Sequence, residues 1–122
     1  MESSSEKFAR WCALLFLPAW AGVVGGELGP SSGAPHFWDK AVHFTAYFIL
    51  SILAVTAVSS AKRVIGVILA LIAMGAVLEV IQGAIGRDMS VMDELANGLG
   101  VLLGALLALA IRALLVRLHP AD

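Results

Sequence analysis

Four long apolar stretches, at residues 8–24, 38–58, 64–85 and 93–118, alternate with short polar segments along the chain. The third contains only two strongly polar residues, Glu79 and Gln82. A helix of 20 residues is about 30 Å long, the thickness of a bilayer's hydrocarbon layer. The stretches lack the two-residue alternation of barrel strands, and a lipid-facing segment must satisfy its own backbone, so helices are predicted. Residues 25–36 read Gly-Gly-Glu-Leu-Gly-Pro-Ser-Ser-Gly-Ala-Pro-His, a loop by every local signal. Residues 59–63 and 86–90 form shorter turns. The fold class predicted is an all-α integral membrane four-helix bundle, a single domain over residues 1–122.

Basic residues set an orientation. With four spans, Lys7, Arg10, Lys62, Arg63, Arg112 and Arg117 share one side, and Lys40 and Arg87 share the other. The positive-inside rule then places both termini in the cytoplasm, with Arg112 and Arg117 reaching toward headgroups. The first stretch has a rival reading as a signal peptide, since Lys7 and Arg10 precede it and Ala19 to Ala21 loosely suits cleavage. Pro18 and the bulky Trp20 sit badly before a cleavage site and favour a retained helix. Removing it would leave three spans.

Composition agrees with a membrane protein. Of 122 residues, 60% are hydrophobic and 14% charged, where a soluble domain carries nearer a quarter charged. A net charge of −1 gives no electrostatic case for nucleic acid. One cysteine, Cys12, excludes an intramolecular disulfide and a multi-cysteine metal site. His43, Glu79, Asp39 and Asp93 have metal-ligating chemistry but lack a tight local signature, so neither metal nor cofactor is expected.

Topology brings distant polar residues to one depth. The second and fourth helices start at the outer face, where the third ends. Asp39, Lys40, His43 and Tyr47 share an arc of about 100° on the second helix. Glu79 lies roughly 10 Å inside Gly86, with Gln82 one turn nearer the surface. Asp93 and Asn97 are spaced i, i+4, and Gly100, Gly104 and Ala108 continue their stripe. Gly75 and Gly83 flank Glu79. Small residues on polar faces let helices approach closely, so these faces should point into the bundle. A carboxylate at the depth of Glu79 needs neutralising, pairing or water, and His43, Lys40 and Arg87 are its candidate partners. A histidine beside a carboxylate is suited to acid/base work.

These residues resemble the VanZ-like family. The likeness rests on Asp39-Lys40-x-x-His43-Phe44-x-x-Tyr47, Glu79-x-x-Gln82, Arg87, and Asp93-x-x-x-Asn97-Gly98-x-Gly100-x-x-x-Gly104. It spans residues 39–104, and the first helix contributes little. The resemblance implies a multi-pass protein of the bacterial cytoplasmic membrane, from a family whose name member is associated with low-level resistance to the glycopeptide teicoplanin. Its motif nominates Asp39, Lys40, His43, Tyr47, Glu79, Gln82, Arg87, Asp93 and Asn97 as a ligand-binding site.

The expected function is a polar pocket opening toward the outer leaflet. It would bind an amphiphilic envelope molecule, a lipid-linked cell-wall precursor or a phospholipid headgroup. Lys40 and Arg87 would engage phosphate. His43 and Glu79 would form the polar centre, oriented by Tyr47, Gln82 and Asn97, and the 25–36 loop would cover the entrance. One alternative is an enzyme modifying such a lipid, with His43 and Glu79 as acid and base. Another is a non-catalytic assembly subunit in which the polar set is structural, and a homo-oligomer is compatible with either. Asp39 and Asp93 also suit helix N-caps, and for Asp93 the cap is the favoured reading. Gly98, Gly100 and Gly104 read as packing residues.

Overall fold

A computed structural model describes residues 2–30, 33 and 36–118. Four helices account for nearly all of them: α1 (Ser4–Leu28), α2 (His36–Ala57), α3 (Ala61–Ala84) and α4 (Val91–Leu118). All four are long and apolar enough to cross a membrane. Large apolar side chains cover the outside of the bundle, Leu17 being 68% and Leu106 63% exposed. So continuous an apolar exterior suits lipid, not water.

Local chemistry sets where the helices begin. Ser3 caps α1 in a reciprocal box: its hydroxyl accepts from the Glu6 N–H at 3.2 Å, and the Glu6 carboxylate accepts from the Ser3 N–H at 2.8 Å. Ser60 caps α3 by accepting from the Arg63 N–H at 3.3 Å. Before α4 the capping oxygen is Ser90 Oγ, 3.4 Å from the Asp93 nitrogen, which corrects the reading of Asp93 as the cap. Asp93 lies in the first turn instead, and its side chain points inward.

The helices run alternately up and down. The start of α2, the end of α3, the start of α4 and the end of α1 therefore meet at one end. At the opposite end the Arg112 guanidinium donates to the carbonyls of Val58 at 2.9 Å and Ser59 at 3.2 Å. It caps the C-terminus of α2 at that end of the bundle.

The most extensive packing is between α2 and α4, which run parallel. Glycine makes it possible. A Cβ on Gly100 would collide with the Phe44 carbonyl, and one on Gly104 would sit 2.5 Å from the Phe48 carbonyl oxygen. Ser51 reinforces the seam by donating to the Val101 carbonyl at 2.7 Å. Gly98 takes no part, since a side chain there would meet open space. Two core clusters fill the interior, Tyr47, Leu50, Leu71 and Val101 near mid-height and Val55, Val64, Ala105 and Ala108 beyond.

The expected loop over residues 25–36 is shorter than the sequence predicts. α1 continues through Gly25 and Gly26 to Leu28, and α2 already begins at His36. Two helical glycines cost about 1 kcal/mol each. Hydrogen bonds from neighbouring helices to the end of α1 offset that cost, and they also build the site. Of the 25–36 loop expected to cover the entrance, Ser31, Ser32, Ala34 and Pro35 lie outside the described residues.

Candidate functional site

The last turn of α1 is the structural centre of the site. Gln82 Nε2 donates to the Glu27 carbonyl at 2.7 Å. Arg87 Nη1 donates to the same carbonyl and to that of Gly29 at 3.0 Å. A cation at a helix C-terminus also complements the helix dipole. Arg87 reaches this place because α3 closes with a left-handed glycine. Gly86 has φ +85°, and the Arg87 N–H then donates back to the Gln82 carbonyl at 2.9 Å.

This anchoring turns the Glu27 side chain into the bundle, where it is 9% exposed. The Tyr47 hydroxyl donates to Glu27 Oε2 at 3.4 Å, and Glu27 Oε1 lies 3.5 Å from His43 Nδ1. Tyr47 itself is fully buried. The carboxylate thus sits between a phenol that donates to Oε2 and an imidazole near Oε1, although Oε1 itself accepts no hydrogen bond.

His43 has an assignable tautomer. Asn97 Nδ2 donates to Glu94 Oε2 at 3.3 Å, so Asn97 presents its Oδ1 to the imidazole at 3.2 Å. His43 Nδ1 faces two acceptors, Asn97 Oδ1 and Glu27 Oε1, and therefore carries the proton. In the neutral imidazole the lone pair is then on Nε2. That nitrogen points toward Asp39, whose Oδ1 is 4.0 Å away, one turn earlier on α2.

Two further carboxylates complete the region. Asp93 is buried, and its Oδ1 lies 3.4 Å from Lys40 Nζ. Glu79, also buried, accepts from the Ser90 N–H at 2.9 Å through Oε2, while its Oε1 has no hydrogen-bond partner. None of the hydrogen bonds and ion pairs among the described residues joins Glu79 to His43, Lys40 or Arg87. Each expected partner is committed elsewhere: His43 to Glu27 and Asn97, Lys40 to Asp93, Arg87 to the end of α1. Gly75 likewise departs from expectation. A Cβ there would meet the Glu94 carboxylate and Asn97 Nδ2, so it makes room for side chains rather than bringing two backbones together.

A cavity of about 540 Å³ opens between α1 and α2 beside this cluster. Its long wall is apolar: Ala19, Gly22 and Val23 from α1, with Val42, Ala46 and Ile49 from α2. Gly22 and Gly26 line it, and a Cβ on either would touch nothing within 4 Å. The polar end is lined by Glu27, Asp39, His43, Gln82 and Arg87. The groove is thus amphiphilic along its length.

The nine residues singled out from sequence gather at one end of the bundle. Asp39, His43, Gln82 and Arg87 line the cavity. Lys40 with Asp93 and Tyr47 with Glu27 form the adjoining pairs, Asn97 holds His43, and Glu79 holds the α3–α4 turn. Sequence reasoning missed Glu27 and Glu94. Glu27 sits in a Gly- and Pro-rich run that reads as loop, and its one signal was the only carboxylate between the first two apolar stretches. Glu94 follows Asp93 and reads as a second first-turn acid.

Fold and site together define a class: a helical bundle of membrane-crossing dimensions with a lateral amphiphilic groove ending in a buried acid–histidine cluster. No protein-family model matches the chain, and neither a curated protein nor a solved structure matches it.

Proposed function

We propose that the protein binds one amphiphilic envelope molecule in the groove between α1 and α2. The acyl or polyprenyl chain lies along Gly22, Val23, Ala46 and Ile49, and the headgroup meets Asp39, His43 and Arg87. The observation that carries this reading is the continuity of the groove, from an apolar wall at mid-height to a cluster of charged groups at the bundle end. Its volume falls within the range of small-molecule sites. Arg87 uses only Nη1 on the α1 carbonyls, so Nε and Nη2 can meet a phosphate. Lys40, 35% exposed beside Asp93, can do the same by swinging outward.

In this reading both termini are cytoplasmic, and the groove's polar end faces the outer leaflet of a bacterial cytoplasmic membrane. The six-to-two division of basic residues supports that orientation. The resemblance to VanZ-like proteins supports the envelope context. A lipid-linked cell-wall precursor and a phospholipid share the required chemistry, a phosphate headgroup on a long apolar chain.

A second reading has its own observation. Gln82, Arg87, Tyr47 and Glu79 all hold helix ends or turns, as the polar groups of a non-catalytic assembly subunit would. Acid/base catalysis by His43 and Glu79 has less support, because Glu79 is bonded to the Ser90 backbone.

Mass spectrometry of lipids retained by the purified protein tests the proposal. One lipid class should be enriched, and Gly22→Phe, which fills the groove from an open position, should release it while leaving thermal stability unchanged. Equal retention by the parent protein and Gly22→Phe would favour the assembly reading.

A further inference from the structure

We propose that Asp39, His43 and Asp93 bind a divalent transition-metal ion at the headgroup end of the groove. The inference does not depend on what the groove carries. One donor atom from each residue lies within 4.8 Å of the other two. They come from the first two to three turns of α2 and the first turn of α4, and these two helices are packed closely at Gly100 and Gly104.

The histidine supplies the independent observation. His43 is 6% exposed, and its Nε2, which makes no hydrogen bond among the described residues, lies 4.0 Å from Asp39 Oδ1. Its Nδ1–H is held by Asn97 Oδ1 and faces Glu27 Oε1. A carboxylate or amide on the far nitrogen is the arrangement that orients a metal-bound imidazole and raises its basicity. Asp93 is 7% exposed, and its Oδ1 likewise lacks a hydrogen-bond donor, with only the Lys40 ammonium 3.4 Å away.

The spacing suits an ion better than a proton. Nε2 and Asp39 Oδ1 are 4.0 Å apart, too far to share a hydrogen. Two ligands of one ion, each bound at about 2.1 Å, are separated by roughly 3 to 4 Å, depending on the angle between them. One imidazole and two carboxylates suit Zn²⁺ or Mn²⁺, with water or a ligand phosphate completing the shell. Asp39, with its side chain 42% exposed, gives the ion an entry path from the bundle end. Lys40 occupies the place of a competing cation. On metal binding it withdraws along its flexible chain toward solvent or lipid phosphate.

Calorimetric titration of the full-length, chelator-treated protein in detergent with ZnCl₂, and separately with MnCl₂, tests the site. One equivalent of at least one metal should bind. Asp39→Asn and His43→Asn should each weaken binding at least tenfold, while Asp88→Asn, an exposed acid in the α3–α4 turn, leaves it unchanged. Glu27→Gln should weaken binding by about tenfold to a hundredfold through His43, the usual cost of losing a partner behind a metal ligand. Lys40→Gln should tighten it, which a stray surface site would not show. Asp39 is half exposed, so its variant keeps the fold; circular dichroism verifies this for every variant. The proposal is overturned if no metal binds with one-to-one stoichiometry, or if Asp39→Asn and His43→Asn bind within threefold of the parent protein. It is equally overturned if Lys40→Gln weakens binding.

Discussion

Glu27 and His43 stand 3.5 Å apart across the connection from α1 to α2, and both are buried. A buried carboxylate and imidazole this close are worth more together than either alone, because removing one leaves the other buried without its partner. The pair ties the least embedded helix to the centre of the bundle, and its removal should be felt in stability.

Glu27→Gln keeps the shape of the side chain and an acceptor for the Tyr47 hydroxyl. Its unfolding free energy in detergent should change by no more than about 1 kcal/mol. Glu27→Ala leaves that hydroxyl and His43 Nδ1–H without the carboxylate and should cost about 2–3 kcal/mol. Equal stability of the two variants would show that the carboxylate position is not structural.

The α2–α4 seam has a sharp positional signature. Gly100→Ala and Gly104→Ala should each destabilise the protein by about 1–3 kcal/mol, because the added methyl meets backbone carbonyls that cannot yield. Gly98→Ala, two residues away, should be neutral or stabilising by up to about 1 kcal/mol through helix propensity alone. Thermal unfolding of the three variants side by side checks the contrast.

Glu79→Gln removes a buried charge whose Oε1 has no partner while the replacement amide keeps an acceptor for the Ser90 N–H. Stability should hold level or rise. If Glu79 serves the bound amphiphile, lipid retention falls at unchanged stability. His43→Asn should then match it, with the double variant no worse than either single one. Full lipid retention by Glu79→Gln would confine Glu79 to its turn.

Orientation is checked with single cysteines in a Cys12→Ser background. A cysteine at Asp88 should react with an impermeant reagent in intact cells, and one at Ser60 should react only after the membrane is opened. The reverse pattern would invert the bundle and turn the groove's polar end to the cytoplasm.

Much of this protein is legible in its sequence. Four apolar stretches of membrane-crossing length determine the number of helices, because helix length and lipid thickness are coupled by simple geometry. Alternating helix direction by itself brings Asp39, His43, Gln82, Arg87, Asp93 and Asn97 to one end, and the spacing of Gly100 and Gly104 marks the seam. Tertiary structure alone decides the pairing. Glu27 sits behind two glycines and ahead of a proline, which local rules read as loop. It is helical because Gln82 and Arg87, more than 50 residues away, bond the carbonyls at the end of α1 and so offset the cost of ending it inside the bundle. Likewise, which carboxylate meets His43 depends on ångström-scale differences in side-chain reach. Glu79 has the right depth, but the Ser90 backbone holds it. Periodicity places residues on a face and at a height; only packing decides which neighbour each of them touches.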